Sequence, residues 1–138
     1  MKFLKGRFIA LMLLLSILGC TACGCGGEKN GGDVTPTYEQ ISASEAKNIM
    51  DTEKSYTIVD ARTDAEFAEG HIEGAILIPE YEIAARAESE LPDKDALILV
   101  YCRSGRRSKI ASEELVKLGY TNVKEFGGII DWPYEIVK

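Results

Sequence analysis

Ala96-Leu97-Ile98-Leu99-Val100-Tyr101, followed by Cys102-Arg103-Ser104-Gly105-Arg106-Arg107-Ser108, is the stretch whose reading decides the fold. An uninterrupted apolar run rich in β-favouring residues suits a strand covered on both faces, as in a parallel sheet. Ser108 to Leu118 has the spacing of a helix, so Cys102 to Arg107 must turn the chain between the two. Gly105 is the residue in that turn able to take a positive φ or to let a ligand approach the backbone closely. The N–H groups of such a turn are free to converge on the group at the strand's end. Here that group is the thiol of Cys102.

A thiolate seated among amides at a helix N-terminus, beside Arg103, Arg106 and Arg107, is favoured over the thiol, and its pKa is expected to fall. No separate base is then required, which is compatible with a chain whose one histidine, His71, lies far away in sequence. The plainer reading of Cys102 is a core thiol after a central strand. The neighbouring glycine and three arginines argue against it. Basic groups at a helix start oppose the macrodipole, so their placement asks for a reason. Arg103, Arg106, Arg107 and Lys109 together would favour a small anionic substrate.

The 138 residues allow one domain with a sizeable core. Lys2, Lys5 and Arg7 precede the apolar stretch Phe8 to Leu18, which is too short for a permanent bilayer span and reads as an export signal over residues 1–19. Ile17-Leu18-Gly19-Cys20 resembles a bacterial lipobox, implying a lipid on Cys20 and an extracytoplasmic protein held to the membrane through that lipid only. Lipidation at Cys23, or free secretion after a later cut, are the alternatives. Residues 20–37 are rich in glycine and polar groups and read as a flexible tether, with the folded domain over 38–138.

Cys20, Cys23 and Cys25 fall in the tether, so Cys102 is the one cysteine of the folded part and a disulfide framework is a poor reading. Cys23-Gly24-Cys25 lacks further ligand residues nearby, and no metal site is expected. The chain carries 16 basic and 22 acidic residues; without Lys2, Lys5 and Arg7 the mature charge is about −9. Nucleic acid is thereby excluded as a natural partner.

From Tyr38 onward short apolar runs alternate with helical patterns, the signature of an α/β fold. Strands are expected at Tyr38–Ile41, Tyr56–Val59, Ala75–Ile78, Ala96–Tyr101 and Val123–Phe126. Helices are expected at Ser42–Met50, capped by Ser42 or Ser44; from Thr63 or Asp64 to Glu69; over Glu80–Glu90 with Ile83, Ala84, Ala87 and Leu91 inward; and over Ser108–Leu118, closed by Gly119. A short helix is expected around Trp132. Open parallel sheets place ligands at the carboxyl ends of their strands, where Asp60-Ala61-Arg62 and Cys102 both fall.

Several segments resemble the single-domain rhodanese-like sulfurtransferases, over roughly residues 38 to 138. They are Val59-Asp60-Ala61-Arg62, Glu66-Phe67, Gly70-His71-Ile72-Glu73-Gly74-Ala75 with Ile78-Pro79, the loop Tyr101 to Ser108, and Gly127-Gly128-Ile129 with Trp132-Pro133. The resemblance implies a mostly parallel sheet of about five strands with helices on both faces. It also implies a persulfide on Cys102, loaded from thiosulfate or a persulfide donor and passed to cyanide or a thiol, without metal or organic cofactor. Arg103, Ser104, Gly105, Arg106 and Arg107 are the implied substrate-binding loop, with backbone amides of residues 103 to 107 holding the charge, Arg103 and Arg106 attracting the donor and Arg107 closing the loop. Asp60, Arg62, Glu66 and His71 are implied as structural support.

Cysteine-dependent phosphatases of the same fold put five residues between cysteine and arginine; here Arg107 follows after four, and Ser108 stands at the phosphatase position. Phosphatase or arsenate-reductase chemistry is therefore the lesser reading. The other alternative, a non-catalytic binding or regulatory module, is opposed by the presence of Cys102.

Overall fold

The computed structural model describes residues 37–138; the expected signal over 1–19, the lipidation site at Cys20 and the tether up to residue 36 lie outside the described residues. The elements are β1 (Glu39–Gln40), α1 (Ala43–Thr52), β2 (Thr57–Asp60), α2 (Asp64–Glu69), β3 (Ala75–Leu77), α3 (Ile83–Glu90), β4 (Ile98–Cys102), α4 (Arg106–Lys117) and β5 (Val123–Gly128). The five strands run in the order β1-β5-β4-β2-β3, and every pair is parallel rather than mostly so.

β4 takes the centre because its sequence has no polar side to offer solvent: all five of its residues are buried. Period-two alternation divides them between two cores. Ile98, Val100 and Cys102 join Val59, Ile83, Ala87, Ala111 and Leu115 under α3 and α4. Leu99 and Tyr101 join Ala46, Ile58, Ile72, Phe126 and Trp132 on the face covered by α1 and the C-terminal segment. Each fully buried Leu or Ile among them contributes about 1.5–3 kcal/mol relative to exposure.

Local signals fix the helix starts. Ser42 with Glu45, and Thr63 with Glu66, form reciprocal capping boxes, which settles the two caps left open between neighbouring residues. Gly119, at φ +94°, ends α4 just past its last turn, its N–H bonded to the Val116 carbonyl at 3.0 Å.

Four expectations need correction. The helix expected over Glu80–Glu90 is a single 3-10 turn, Glu80–Glu82, closed by the Glu82 N–H on the Pro79 carbonyl, and then α3. Ala84 is exposed, not inward: the buried stripe Ile83, Ala87, Leu91 advances by four, and the residue one beyond Ile83 lies about 100° off it. α4 begins at Arg106 rather than Ser108, because Gly105 with φ +97° is its N-cap. The segment before Trp132 is likewise a 3-10 turn, Ile129–Asp131.

The β4–β5 ladder slips near its carboxyl end. Val100 pairs with Glu125 and Cys102 with Gly128, so β5 spends one residue more than β4 on that step. This is a β-bulge, and Gly127 supplies its positive φ of +90°. The bulge carries Gly128 under the loop after Cys102, where an added Cβ would stand 2.1 Å from the Arg103 carbonyl oxygen.

Candidate active site

Cys102 is the last residue of β4, with 1% of its surface exposed. The chain leaves the strand through Arg103 and Ser104, both exposed, and turns back at Gly105 so that the Gly105 N–H donates to the Cys102 Sγ at 3.0 Å. Burial pushes the thiol up, but the hydroxyl and amide of Ser108 and the amides of Gly105 and Ser104 outweigh it and hold the thiol below its ordinary value. A merely packed core thiol has no use for several converging donors. Of the loop amides, that of Gly105 donates to the sulfur at 3.0 Å, and those of Ser104 and Ser108 add to the lowering of the thiol.

Ser108 and Glu125 escaped the sequence reading. The Ser108 hydroxyl lies 2.6 Å from Glu125 Oε1 and 3.1 Å from the Gly105 carbonyl, while the Gly127 N–H donates to the same Glu125 oxygen at 2.8 Å. Glu125 is only 3% exposed. The overlooked signal is its place two residues after Val123, on the strand face that the sequence reserves for the core.

Arg107 is expected both as a member of the substrate-binding loop and as the residue that closes it. Its guanidinium makes a two-pronged pair with Glu66, at 2.8 and 2.7 Å, and so closes the loop against α2 rather than facing a ligand. Arg107 and the Thr63 cap together hold the Glu66 carboxyl down at about 2. Arg103 and Arg106 are the exposed arginines of the loop, and neither forms an ion pair among the described residues.

Asp60 and Arg62 form a buried pair at 2.6 Å at the end of β2, the strand beside β4. Arg62 also donates to the Gly70 carbonyl, and Tyr101 donates its hydroxyl proton to Asp60 at 2.6 Å while accepting from the Ile72 N–H at 3.1 Å. Burial and the Asp60 charge push the Tyr101 phenol upward, keeping it a neutral donor. Phe67 stacks on the His71 ring with centroids 3.7 Å apart, and the Phe67 carbonyl lies 3.0 Å from its Nδ1. The His71 backbone pairs with Val137. These contacts tie the Gly70–Ile72 segment to β2, β4 and the C-terminus.

A parallel sheet with a thiol at the carboxyl end of its central strand, ringed by amides and basic side chains, defines a class of protein, and sequence comparison agrees. The chain belongs to the rhodanese-like domain family, whose profile matches residues 42–133. It is 40% identical over 80 residues to the thiosulfate sulfurtransferase PspE of Escherichia coli K12, covering 58% of this chain and 77% of that protein. It is 44% identical over 92 residues to a sulfurtransferase of Allochromatium vinosum, covering 66% and 83%. A solved rhodanese from E. coli with bound anions superposes with a TM-score of 0.58 at 37% identity, over 61% of this chain and 99% of that one.

Proposed function

We propose that the protein moves sulfane sulfur from thiosulfate, or from a persulfide donor, to cyanide or a thiol through a persulfide on Cys102. It is an enzyme of the sulfurtransferase class, as its relatives are. The Cys102 thiolate attacks the outer sulfur of the donor; a bond forms from Sγ to that sulfur while the donor's S–S bond breaks, and sulfite from thiosulfate, or the thiolate of a persulfide donor, leaves with the bonding pair. The acceptor then attacks the terminal sulfur, and the Sγ–S pair returns to Cys102 as thiolate. Arg103 and Arg106 draw the dianionic donor to the loop, and the amides of Ser104, Gly105 and Ser108 hold the sulfur's charge in both stages. Because Cys102 is 1% exposed, loading requires the exposed Arg103–Ser104 edge to give way slightly.

The observation that carries this reading is the Gly105 amide on Sγ at 3.0 Å, one of several donors aimed at one sulfur. Purified protein should produce thiocyanate from thiosulfate and cyanide, and Cys102→Ser should abolish turnover while melting as the parent does. Undiminished turnover in that variant ends the proposal. Asp60, Arg62, Glu66 and His71 act as loop supports, so their removal costs folding stability before chemistry.

Export, lipidation at Cys20 and attachment outside the cell membrane form part of the same proposal and rest on the sequence alone. Detergent-dependent extraction of the protein from membranes, lost on Cys20→Ala, is the expected result; equal recovery of both proteins in the aqueous fraction removes this part.

A further inference from the structure

Glu125 is a buried carboxylate that the transfer chemistry above does not use. It projects from β5 toward the core that holds Cys102: Val123, two residues earlier, packs in that core, whereas Phe126 belongs to the opposite one. Its Oε1 accepts from Ser108 Oγ and from the Gly127 amide, and lies 4.0 Å from where a Cβ on Gly105 would stand. Gly105 in turn donates to the sulfur. One hydroxyl and one turn of backbone therefore separate the carboxylate from the thiol.

The other charged groups around the sulfur are already engaged or lie outside. Asp60 on β2 is paired with Arg62, Glu66 on α2 with Arg107, and Lys124 on β5 with Glu39. Arg103, Arg106 and Lys109 are exposed, as is Glu113 further along α4; Glu80 is half-buried in the turn after β3. Glu125 has no cation paired with it among the described residues; only neutral donors reach it. The Ser108 hydroxyl lies 2.6 Å from Glu125 Oε1 and also helps to hold the Cys102 thiol down, so it stands between the carboxyl group and the sulfur.

We propose that Glu125 is a positioning residue for the reacting sulfur: through Ser108 and Gly127 it seats the loop, and its buried negative charge on the inner side of Cys102 favours charge that has moved outward. This rests on the transfer chemistry proposed above. In the resting state the negative charge sits on Sγ, close to the carboxylate. After sulfur is taken up it sits on the terminal sulfur, one S–S bond of about 2 Å further out, toward the loop amides and the exposed arginines. Repulsion thus makes the thiolate a stronger nucleophile and eases the passage from thiolate to persulfide.

The test is the pH dependence of Cys102 alkylation by iodoacetamide, followed by mass on the peptide that carries Cys102, so it does not depend on any sulfur transfer. Glu125→Gln keeps the shape and one acceptor oxygen but removes the charge. Thiolate formation should move to lower pH, while the weaker base becomes a poorer nucleophile. For a tenfold change in ionisation, the variant should react roughly threefold faster well below the parent's transition and roughly threefold slower on the alkaline plateau. Ser108→Ala, which leaves the carboxylate charge unshielded, should move thiolate formation the other way, to higher pH. Crossed profiles for Glu125→Gln with opposite shifts for the two variants support the proposal. An unshifted Glu125→Gln profile, or both variants moving to higher pH as loss of the amide seat alone would cause, overturns it. Should Glu125→Gln not fold, Glu125→Met, which removes the charge at similar volume, must still shift thiolate formation to lower pH. A protein that passes this test yet makes no thiocyanate would refute the transfer reading while leaving the Glu125 pairing intact.

Discussion

Arg107→Ala should cost stability in a way that depends on pH, because the residue it releases is Glu66. The Glu66 carboxyl sits at about 2 against an ordinary value of 4.5, and its side chain is 21% exposed. Taken at face value, the shift is about 3.4 kcal/mol of preference for the ionised form. Part of it belongs to the Thr63 cap, which the substitution leaves in place, and partial exposure screens the rest. Arg107→Ala should therefore cost about 1–2 kcal/mol at pH 7, or about 5–10 °C in Tm for a domain of this size. A carboxyl whose folded pKa is depressed contributes stability that is complete above the unfolded pKa and is lost as pH falls through the folded one. The gap between parent and variant should thus be full at pH 7 and roughly halved at pH 2.5, because the unfolded value is common to both proteins and the variant's carboxyl, still held down by the Thr63 cap, takes up its proton before the parent's does. Urea unfolding at both pH values measures it. A gap that is absent at pH 7, or the same at pH 2.5, refutes the assignment of Arg107 as the closure of the loop against α2.

Gly128→Ala should be more damaging than its size implies: its Cβ would meet the Arg103 carbonyl oxygen at 2.1 Å, so the loop must shift, and both alkylation of Cys102 and thiocyanate production should fall at least tenfold. Unaltered alkylation would show that the loop does not rest on Gly128. Tyr101→Phe removes the donor to Asp60 and leaves the Ile72 N–H without its acceptor; unfolding experiments should show a loss of about 1–3 kcal/mol, with Cys102 alkylation unchanged. A variant as stable as the parent would contradict the coupling of β4 to β2 through that hydroxyl.

The sheet was legible in the sequence where strands are short apolar runs, as β2, β3 and β4 are, and where helices carry their own caps, as α1 and α2 do. Ala96 to Tyr101 announced a central strand, and Thr63 or Asp64 the start of α2. What stayed hidden depended on where strands meet. The bulge between Val100 and Cys102 is a property of the β4–β5 pairing, and no local pattern in β5 declares that Gly128 will face the Arg103 carbonyl. The residue against which Arg107 closes the loop, Glu66, is distant in the chain, and only the fold brings them together. The expected helix over Glu80–Glu90 failed at its first turn, and Ala84 was misplaced, because an alanine fits either side of a narrow apolar stripe. The thiol was singled out from its neighbours, since a strand end, a glycine and a cationic loop are local features; the structure puts it at the end of β4 with the Gly105 N–H on its sulfur.

The central claim is that Cys102 carries the transferred sulfur. Intact-mass and peptide analysis after exposure to thiosulfate tests it most directly. One added sulfur atom on the peptide containing Cys102, removed by cyanide and missing in Cys102→Ser, is the predicted result; no added sulfur on that peptide, or the same gain in the variant, would contradict it.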